Sequence, residues 1–536
     1  MARTLHAATD MRPARCFPAV ALALVLSTTL STAEGADSAP ASDTDQHTRG
    51  EAIYAKQCAA CHGTEGRGDG SAAYLLYPKP RDFHAAHYRL VSTWEGTPTD
   101  DDLLRTISRG IPGSAMPAWG WMSEADRRAL VAFVKSLADT PIVVAEPRAA
   151  KSDGSGGTGV ITVPPEPEDS TSNHARAEEL FAGACASCHG AAGKADVQQE
   201  LFDSEGRPIR PRDLTSGVFK GDPAPEHVYR RIVGGLPGTP MPKNDWAYGN
   251  DAWYLVRYVL SLSNPVQRDR AEMRKFEIRA PRVRRVPVNP DDGAWSRAEP
   301  FHLHLMPLWW RYTRPEELVV RALHDGRDLA LLLMWADDTH DSTAIRPQDF
   351  RDAVAVEFSL EPDPPFFAMG QPGAPVNLWM WKSERQADLE PAFQDLETVY
   401  PNLGIDSYPN PLRGALEQPH RHALTLETAP TFVTAWGAGN IVADPTRRSA
   451  VEDLRAEGFG TLRARPRIDQ RVQAQGVWDI GTYRVVLRRR LKTHGSDAVR
   501  LQAGASVPVA FAVWNGSAGD RDGKKSVTIW QNLVLE

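Results

Sequence analysis

The pentapeptide Cys58-Ala59-Ala60-Cys61-His62 recurs as Cys185-Ala186-Ser187-Cys188-His189. The spacing C-x-x-C-H is the attachment signal for a covalent haem c. Two thiols three positions apart lie on one helical turn and reach the two vinyl groups of a haem, and the adjacent histidine meets the iron from the same side. Each copy follows a similar helical stretch, AIYAKQ and ELFAGA, and each is followed by glycine, Gly63 and Gly190. A structural zinc or thiol-redox pair is the alternative, but the immediate histidine fits neither a zinc ribbon nor a thioredoxin motif.

A haem iron held by one histidine has a sixth position. Left open, it binds ligands; filled by a methionine thioether, it favours electron transfer and a raised potential. Both repeats supply a thioether. Gly110-Ile111-Pro112-Gly113-Ser114-Ala115-Met116-Pro117 parallels Gly235-Leu236-Pro237-Gly238-Thr239-Pro240-Met241-Pro242. The His-to-Met separations are 54 and 52 residues. A gap-filling core methionine is the competing reading, and it does not explain two Met-Pro pairs in equivalent turns. On these residues both repeats resemble class I cytochrome c, the small all-helical electron carriers. That resemblance implies His62 with Met116, and His189 with Met241, as axial pairs. Pro78, Pro80, Pro208 and Pro211 are candidates for the haem edge. Tyr88 and Trp94 are either pocket aromatics or core. His84 and His87 are read as surface histidines beside the first haem.

The repeats divide the chain. Arg12 and Arg15, then the apolar run Ala19–Leu30 and the small residues Ser31-Thr32-Ala33, form an expected signal peptide over 1–36. Cys16 precedes the apolar run, and the other four cysteines all lie in the haem motifs, so no disulfide is proposed. Residues 37–47 are polar and expected to be disordered. The first cytochrome domain spans 48–140 and closes with a helix starting at Ser123, with Asp126 three residues on as an approximate capping box. Residues 141–172, rich in Gly, Ser and Pro, are expected to be a flexible linker. The second domain spans 173–265, where RPRDL echoes KPRDF, and an Arg/Pro-rich linker over 266–299 wraps onto the next domain. The net charge of −7 gives no reason to expect nucleic acid as a partner. No other stretch has the length and hydropathy of a transmembrane helix, and the mature protein is expected in the periplasm.

From residue 300 the texture changes. ELVVRAL, DLALLLMWA, AVAVEFSL, APVNLWMW, TFVTAWG, TYRVVLRRRL, VPVAFAVW and SVTIWQNLVL are strand-like runs separated by turn residues. They predict an antiparallel β-sandwich over 300–536. The fold class is thus multidomain α + β: two all-α cytochrome c domains, then a β-sandwich. Asp337-Asp338-Thr339-His340-Asp341 reads as a polar turn rather than a metal site. The segments LLLMWADDTHDS, FFAMGQPGAPVNLWMWK and PVAFAVWNGSAGDRDGKKSVTIWQNLVL resemble the ethylbenzene dehydrogenase γ-subunit family, whose relatives serve dimethylsulfide dehydrogenase, selenate reductase and chlorate reductase. The resemblance implies a β-sandwich holding one non-covalent haem b between a Met and a Lys. Carried onto this chain, it indicates Met369 and Lys525, with Met306 and Lys382 as the fallback pair. Lys524 and Lys525 are successive strand residues, so only one can face a haem. His302 and His304 are the remaining candidates.

Together these features predict a periplasmic three-haem electron-transfer subunit, with two haems c and one haem b and no catalytic residues of its own. It would relay electrons between molybdoenzyme α/β-type subunits, or another redox complex, and a soluble cytochrome or quinol-oxidising complex. Two other readings stay open. One is a dihaem c oxidoreductase acting on a small inorganic substrate. The other is a haem-free β-sandwich that tethers a dihaem cytochrome.

Overall fold

The computed structural model describes residues 43–151, 154–366, 369–390, 394, 399–402, 448–493, 495 and 497–536. The expected signal peptide and the run TFVTAWG lie outside the described residues.

The two haem motifs sit in matching helical frames. In the first, the helix Asp43–Gln57 runs into the short turn Ala59–His62, and Asp100–Arg109 and Glu124–Ser136 follow. In the second, Thr171–Ala184 leads to Ala186–His189, and Pro225–Gly234 and Asn250–Ser261 follow. The helix starts are set by side-chain caps. Ser123 accepts the Asp126 N–H at 3.1 Å, and Thr99 and Asp102 form a reciprocal capping box. Such caps contribute about 1 kcal/mol each. The first module buries Tyr54, Phe83, Leu130, Phe133 and Val134 together. The second buries Phe181, Tyr229, Trp253 and Leu255.

Residues 141–172 are not a loose tether. Ile161 is fully buried in the second module's core, and its N–H reaches the Ser92 carbonyl at 2.8 Å. Thr93 bridges Val160 and Arg148 bridges Thr158 as isolated β-pairs. The apolar Val160-Ile161-Thr162-Val163 outweighs the Gly/Ser content around it, because burying a large aliphatic side chain contributes about 1.5–3 kcal/mol.

Beyond residue 276 the described residues form two larger sheets. One has strand order Arg463–Ala464, Val451–Ala456, Val376–Lys382, Ala353–Ser359, Ser506–Trp514, Ser526–Val527, Met306–Pro307, with Gln531–Leu535 also paired to Ser506–Trp514. Its ladders are antiparallel except at the edge, where Glu277–Ala280 pairs parallel to Gln531–Leu535. The segment 266–299 therefore contributes a strand to the sheet. The second sheet runs Gln473–Asp479, Thr482–Arg490, Asp328–Ala336, Glu317–His324, Phe301–His304. Residues from both sheets share one apolar cluster, including Val354, Val356, Trp379 and Trp381 from one and Leu331, Leu333, Trp335 and Tyr483 from the other. The polar strand Gln473–Asp479 fits here because Gly476 admits the Trp381 indole; a Cβ at that position would lie 2.3 Å from Trp381 Cζ2.

The strand Ala353–Ser359 is buried on both faces. Val354, Val356 and Phe358 enter the shared core, while Ala355 and Glu357 face the other way, toward the first cytochrome module. The chain docks that module by main-chain bonds. The Leu308 N–H donates to the Lys525 carbonyl at 2.9 Å, the Tyr77 N–H to the Leu308 carbonyl at 2.9 Å, and the Trp310 N–H to the Tyr77 carbonyl at 2.7 Å.

Candidate functional site: two adjoining pockets

The first pocket gathers Cys58, Cys61, His62 and Met116 around a cavity of about 260 Å³. Its imidazole is oriented by the main chain: His62 Nδ1 lies 3.0 Å from the Arg81 carbonyl. A carbonyl can only accept, so Nδ1 carries the proton and Nε2 is left with its lone pair, the arrangement of a metal-binding imidazole. In the second module His189 Nδ1 lies 3.0 Å from the Arg212 carbonyl. Burial lowers the pKa of both rings, which keeps them neutral.

The methionine loops repeat atom for atom. The Ile111 N–H donates to the Met116 carbonyl at 3.0 Å and Ser114 N–H to the Ile111 carbonyl at 3.0 Å; the counterparts, Leu236 to Met241 and Thr239 to Leu236, measure 3.2 and 3.1 Å. The Met116 N–H reaches Ser114 Oγ at 3.3 Å and the Met241 N–H reaches Thr239 Oγ1 at 3.2 Å. Gly110 and Gly235 enter these loops at φ +68° and +67°. A Cβ at Gly110 would lie 2.7 Å from the Met116 carbonyl oxygen, and one at Gly235 would lie 2.6 Å from the Pro242 carbonyl oxygen. The donors lining the first pocket, Cys58, Cys61, His62 and Met116, thus fit a covalent haem, and Cys185, Cys188, His189 and Met241 repeat that set in the second module's sequence. Such a haem supplies one-electron chemistry.

A cavity of about 370 Å³ opens on the outer face of the larger sheet. Its floor is small, Ala355, Ala510 and Ala512, and its walls include Glu357, Trp514, Lys525 and Phe366. Lys525 is buried, and its Nζ lies 5.0 Å over the Trp514 ring. Burial lowers the Lys525 pKa, with Glu357 opposing, and burial pushes the Glu357 carboxyl up to about 7, with Lys525 opposing. Desolvation thus favours the neutral amine that metal ligation requires. Lys524 turns to the other side, with its Nζ 5.5 Å from the Trp309 ring. Met369 packs beside Leu378 and Trp530, which line the cavity, although Met369 does not itself line it. It holds φ +77°, unusual for a side-chain-bearing residue, and its N–H is fixed by Glu357 Oε1 at 3.0 Å.

The other candidates are engaged elsewhere. Lys382 pairs with Glu452 at 2.8 Å, and Met306 is fully buried in a cluster with Cys61, Leu76 and Val527. His302 Nδ1 meets Glu317 at 2.7 Å. His304 is buried, and its Nε2 accepts the Gly113 N–H at 3.2 Å, so it braces the Met116 loop. Burial, then the Arg314, Arg212 and Arg109 charges, hold His304 down at about 3, so it is neutral. His84 bonds Asp139 at 2.8 Å and the Glu65 carbonyl at 2.8 Å. Tyr88 lines the first pocket, whereas Trp94 joins the second module's core. The acidic turn after Ala336 binds itself: Thr339 donates to Asp337 and Asp341. Among the described residues no group of three His, Cys, Asp or Glu could hold a metal ion.

Residues 292–526 match the family model of ethylbenzene dehydrogenase, and residues 45–134 match that of cytochrome C oxidase, cbb3-type, subunit III. The chain joins a cytochrome c module to an ethylbenzene dehydrogenase-family domain. A putative respiratory nitrate reductase heme subunit of Haloferax mediterranei is 26% identical over 41% of this chain and 56% of its own length. The chain therefore spans little more than half of that relative. Dimethylsulfide dehydrogenase subunit gamma of Rhodovulum sulfidophilum is 25% identical over 46% of this chain and 74% of its own. A chain of the Kuenenia stuttgartiensis reducing HAO-like protein complex Kustc0457/Kustc0458 is 34% identical, with 40% of this chain and 96% of that one covered and a TM-score of 0.35.

The ethylbenzene dehydrogenase-family domain and the first cytochrome module share a wall. Gln57, Pro117, Trp119 and Phe366 line both cavities, and Trp119 stacks on Phe366 at 5.9 Å between ring centres. Residues of the second module also line the first pocket, among them Arg212, Lys220, Leu236 and Thr239. Sequence reasoning missed this shared wall. Its residues lie hundreds of positions apart, and the aromatic Trp119 just after Met116-Pro117 was the one local signal.

Proposed function

We propose that the protein is an exported, periplasmic electron-transfer subunit with three redox sites in a row. The cavity holding Lys525 takes a non-covalent haem b, with Met369 as the second ligand. The first cytochrome pocket comes next, and the second cytochrome follows. The observation that carries this reading is the common wall of Gln57, Pro117, Trp119 and Phe366. It leaves only side-chain thickness between the Lys525 cavity and the first pocket. The gamma and haem subunits among the relatives support the same assignment. A molybdoenzyme-type partner would dock on the ethylbenzene dehydrogenase-family domain. A soluble cytochrome or quinol-oxidising complex would exchange electrons with the second cytochrome module. The residues serve the relay by holding each iron site coordinatively filled, so that charge passes and no substrate binds.

Haem analysis of the purified protein tests this. Acid-acetone should extract one haem and leave two covalently bound, and the reduced protein should be indifferent to carbon monoxide. Two irons with nothing extractable would leave a dihaem cytochrome on a haem-free tether. Rapid carbon monoxide binding would point instead to an open iron acting on a small substrate.

A further inference from the structure

Two cations of the second cytochrome module, Arg212 and Lys220, line the cavity of the first. Arg212 Nη2 donates to the Pro112 carbonyl at 2.8 Å, inside the Met116 loop. Its Nε and Nη1 are buried without a hydrogen-bond partner. Gly113 makes the approach feasible, since a Cβ there would lie 2.3 Å from Arg212 Nη1. Burial, then the Arg314 charge, pull Arg212 down to about 9, with Glu316, which is paired to Arg314 at 2.5 Å, opposing. Lys220 lines the same cavity, and burial, then the Arg212 and Arg89 charges, pull it down to about 7. Neither forms an ion pair with a described carboxylate. The Tyr88 hydroxyl, also on this cavity, is another buried polar group without a partner.

The first module's equivalent cations are satisfied. Arg81 and Arg212 each follow proline and precede aspartate, and each gives its carbonyl to an axial histidine. Arg89 and Lys220 lie eight residues further on in their modules. Arg81 pairs with Glu205 at 3.4 Å and Arg89 with Asp203 at 2.5 Å. Arg212 and Lys220 have no such partners. Buried donors without a partner are costly, so Arg212 Nε and Nη1, with the Lys220 ammonium on the same cavity, call for an anion in the complete protein. A haem carries two propionate carboxylates.

We infer that Arg212 and Lys220 form a carboxylate seat at the module boundary, shared by the propionates of both haems c. The seat lines the first module's pocket and comes from the positions of the second module that correspond to Arg81 and Arg89 of the first. The second module thereby completes the first module's haem site. This inference rests on both haems c being bound, and not on haem b.

The test replaces Lys220 in the full chain and follows each haem c separately by the hyperfine-shifted methyl signals of its axial methionine during a redox titration. Lys220→Gln should lower both midpoint potentials, because a cation beside a haem favours the reduced iron, and Lys220→Arg should restore them. A shift at one haem alone, or at neither, overturns the shared seat. Should Lys220→Gln fail to retain haem, the conservative variant Lys220→Arg decides. Reduced-minus-oxidised infrared spectra, with the propionate carboxylates labelled with carbon-13, should show label-sensitive bands that Lys220→Arg moves. Label-sensitive bands that Lys220→Arg leaves in place overturn the assignment. Loss of covalent haem in the wild type would instead be seen by acid-acetone extraction.

Discussion

At the scale of single residues, the two lysines proposed from sequence separate cleanly. Lys382 is neutralised by Glu452 at 2.8 Å, while Lys525 is buried in a cavity floored by alanines. Lys525→Leu should abolish retention of the extractable haem with little change in fold, since leucine prefers burial and carries no donor for the iron. Lys382→Met should leave that haem in place at a modest cost in stability, because Glu452 keeps its ion pair with Arg385 at 3.7 Å. Haem extraction and chemical denaturation of the two variants check this pair. Haem loss from Lys382→Met alone would reverse the assignment. Met369 could be found from sequence only through resemblance. Its left-handed backbone and its bond to Glu357 are products of tertiary structure.

Among the elements, the methionine loops show why part of the site was legible. Covalent haem chemistry demands a fixed local spacing, and a tight Met-Pro turn demands glycine at positive φ. Both requirements leave marks within ten residues. Gly110→Ala should therefore destabilise the first module by at least about 1–2 kcal/mol from the left-handed backbone alone, and it should weaken the near-infrared sulfur-to-iron band. Gly235→Ala should do the same in the second module only. Strands that alternate or run apolar, such as DLALLLMWA, were equally legible. The strands VEDLRA and QAQGVWD were not, because their polar side chains are paid for by partners remote in sequence. Asp453 meets Arg465 at 2.8 Å, and Gly476 yields to Trp381.

A second element-scale consequence concerns pH. Asp352 bridges the two sheets, accepting from the Tyr483 hydroxyl at 2.7 Å and the Gly516 N–H at 2.8 Å. Burial, then Asp337, raise Asp352 to about 7, and burial raises Asp337 to about 6. A carboxyl whose folded pKa lies above its unfolded value, about 3.9, stabilises the fold in its protonated form. That contribution is complete below about pH 4 and is lost as pH rises through about 7, on the order of a few kcal/mol. Asp352→Asn cannot ionise, so its stability should fall less between pH 4 and 7 than that of the wild type. Denaturation midpoints across that range would show it, and parallel curves would refute it.

At the scale of the whole molecule, the order of sites makes an asymmetric prediction. The first cytochrome pocket touches both neighbours: it shares Trp119 and Phe366 with the Lys525 cavity, and it is lined by Arg212 and Lys220 from the second module. Among the residues lining the Lys525 cavity, none comes from the second cytochrome module. In the proposed relay the first haem would be the intermediate station. Methionine as axial ligand raises a haem potential relative to a second histidine. Met116→His should place a low-potential step in the middle, and Met241→His should place one at the end. A photoreductant attached through Asp363→Cys, an exposed position on the rim of the Lys525 cavity, would deliver electrons there. Transient absorption should then show Met116→His slowing reduction of the second haem c and leaving haem b reduced for longer. Met241→His should leave arrival at the first haem c unchanged. If Met116→His left the second haem as fast as in the wild type, electrons would be bypassing the first pocket, and the linear order of the three sites would be wrong.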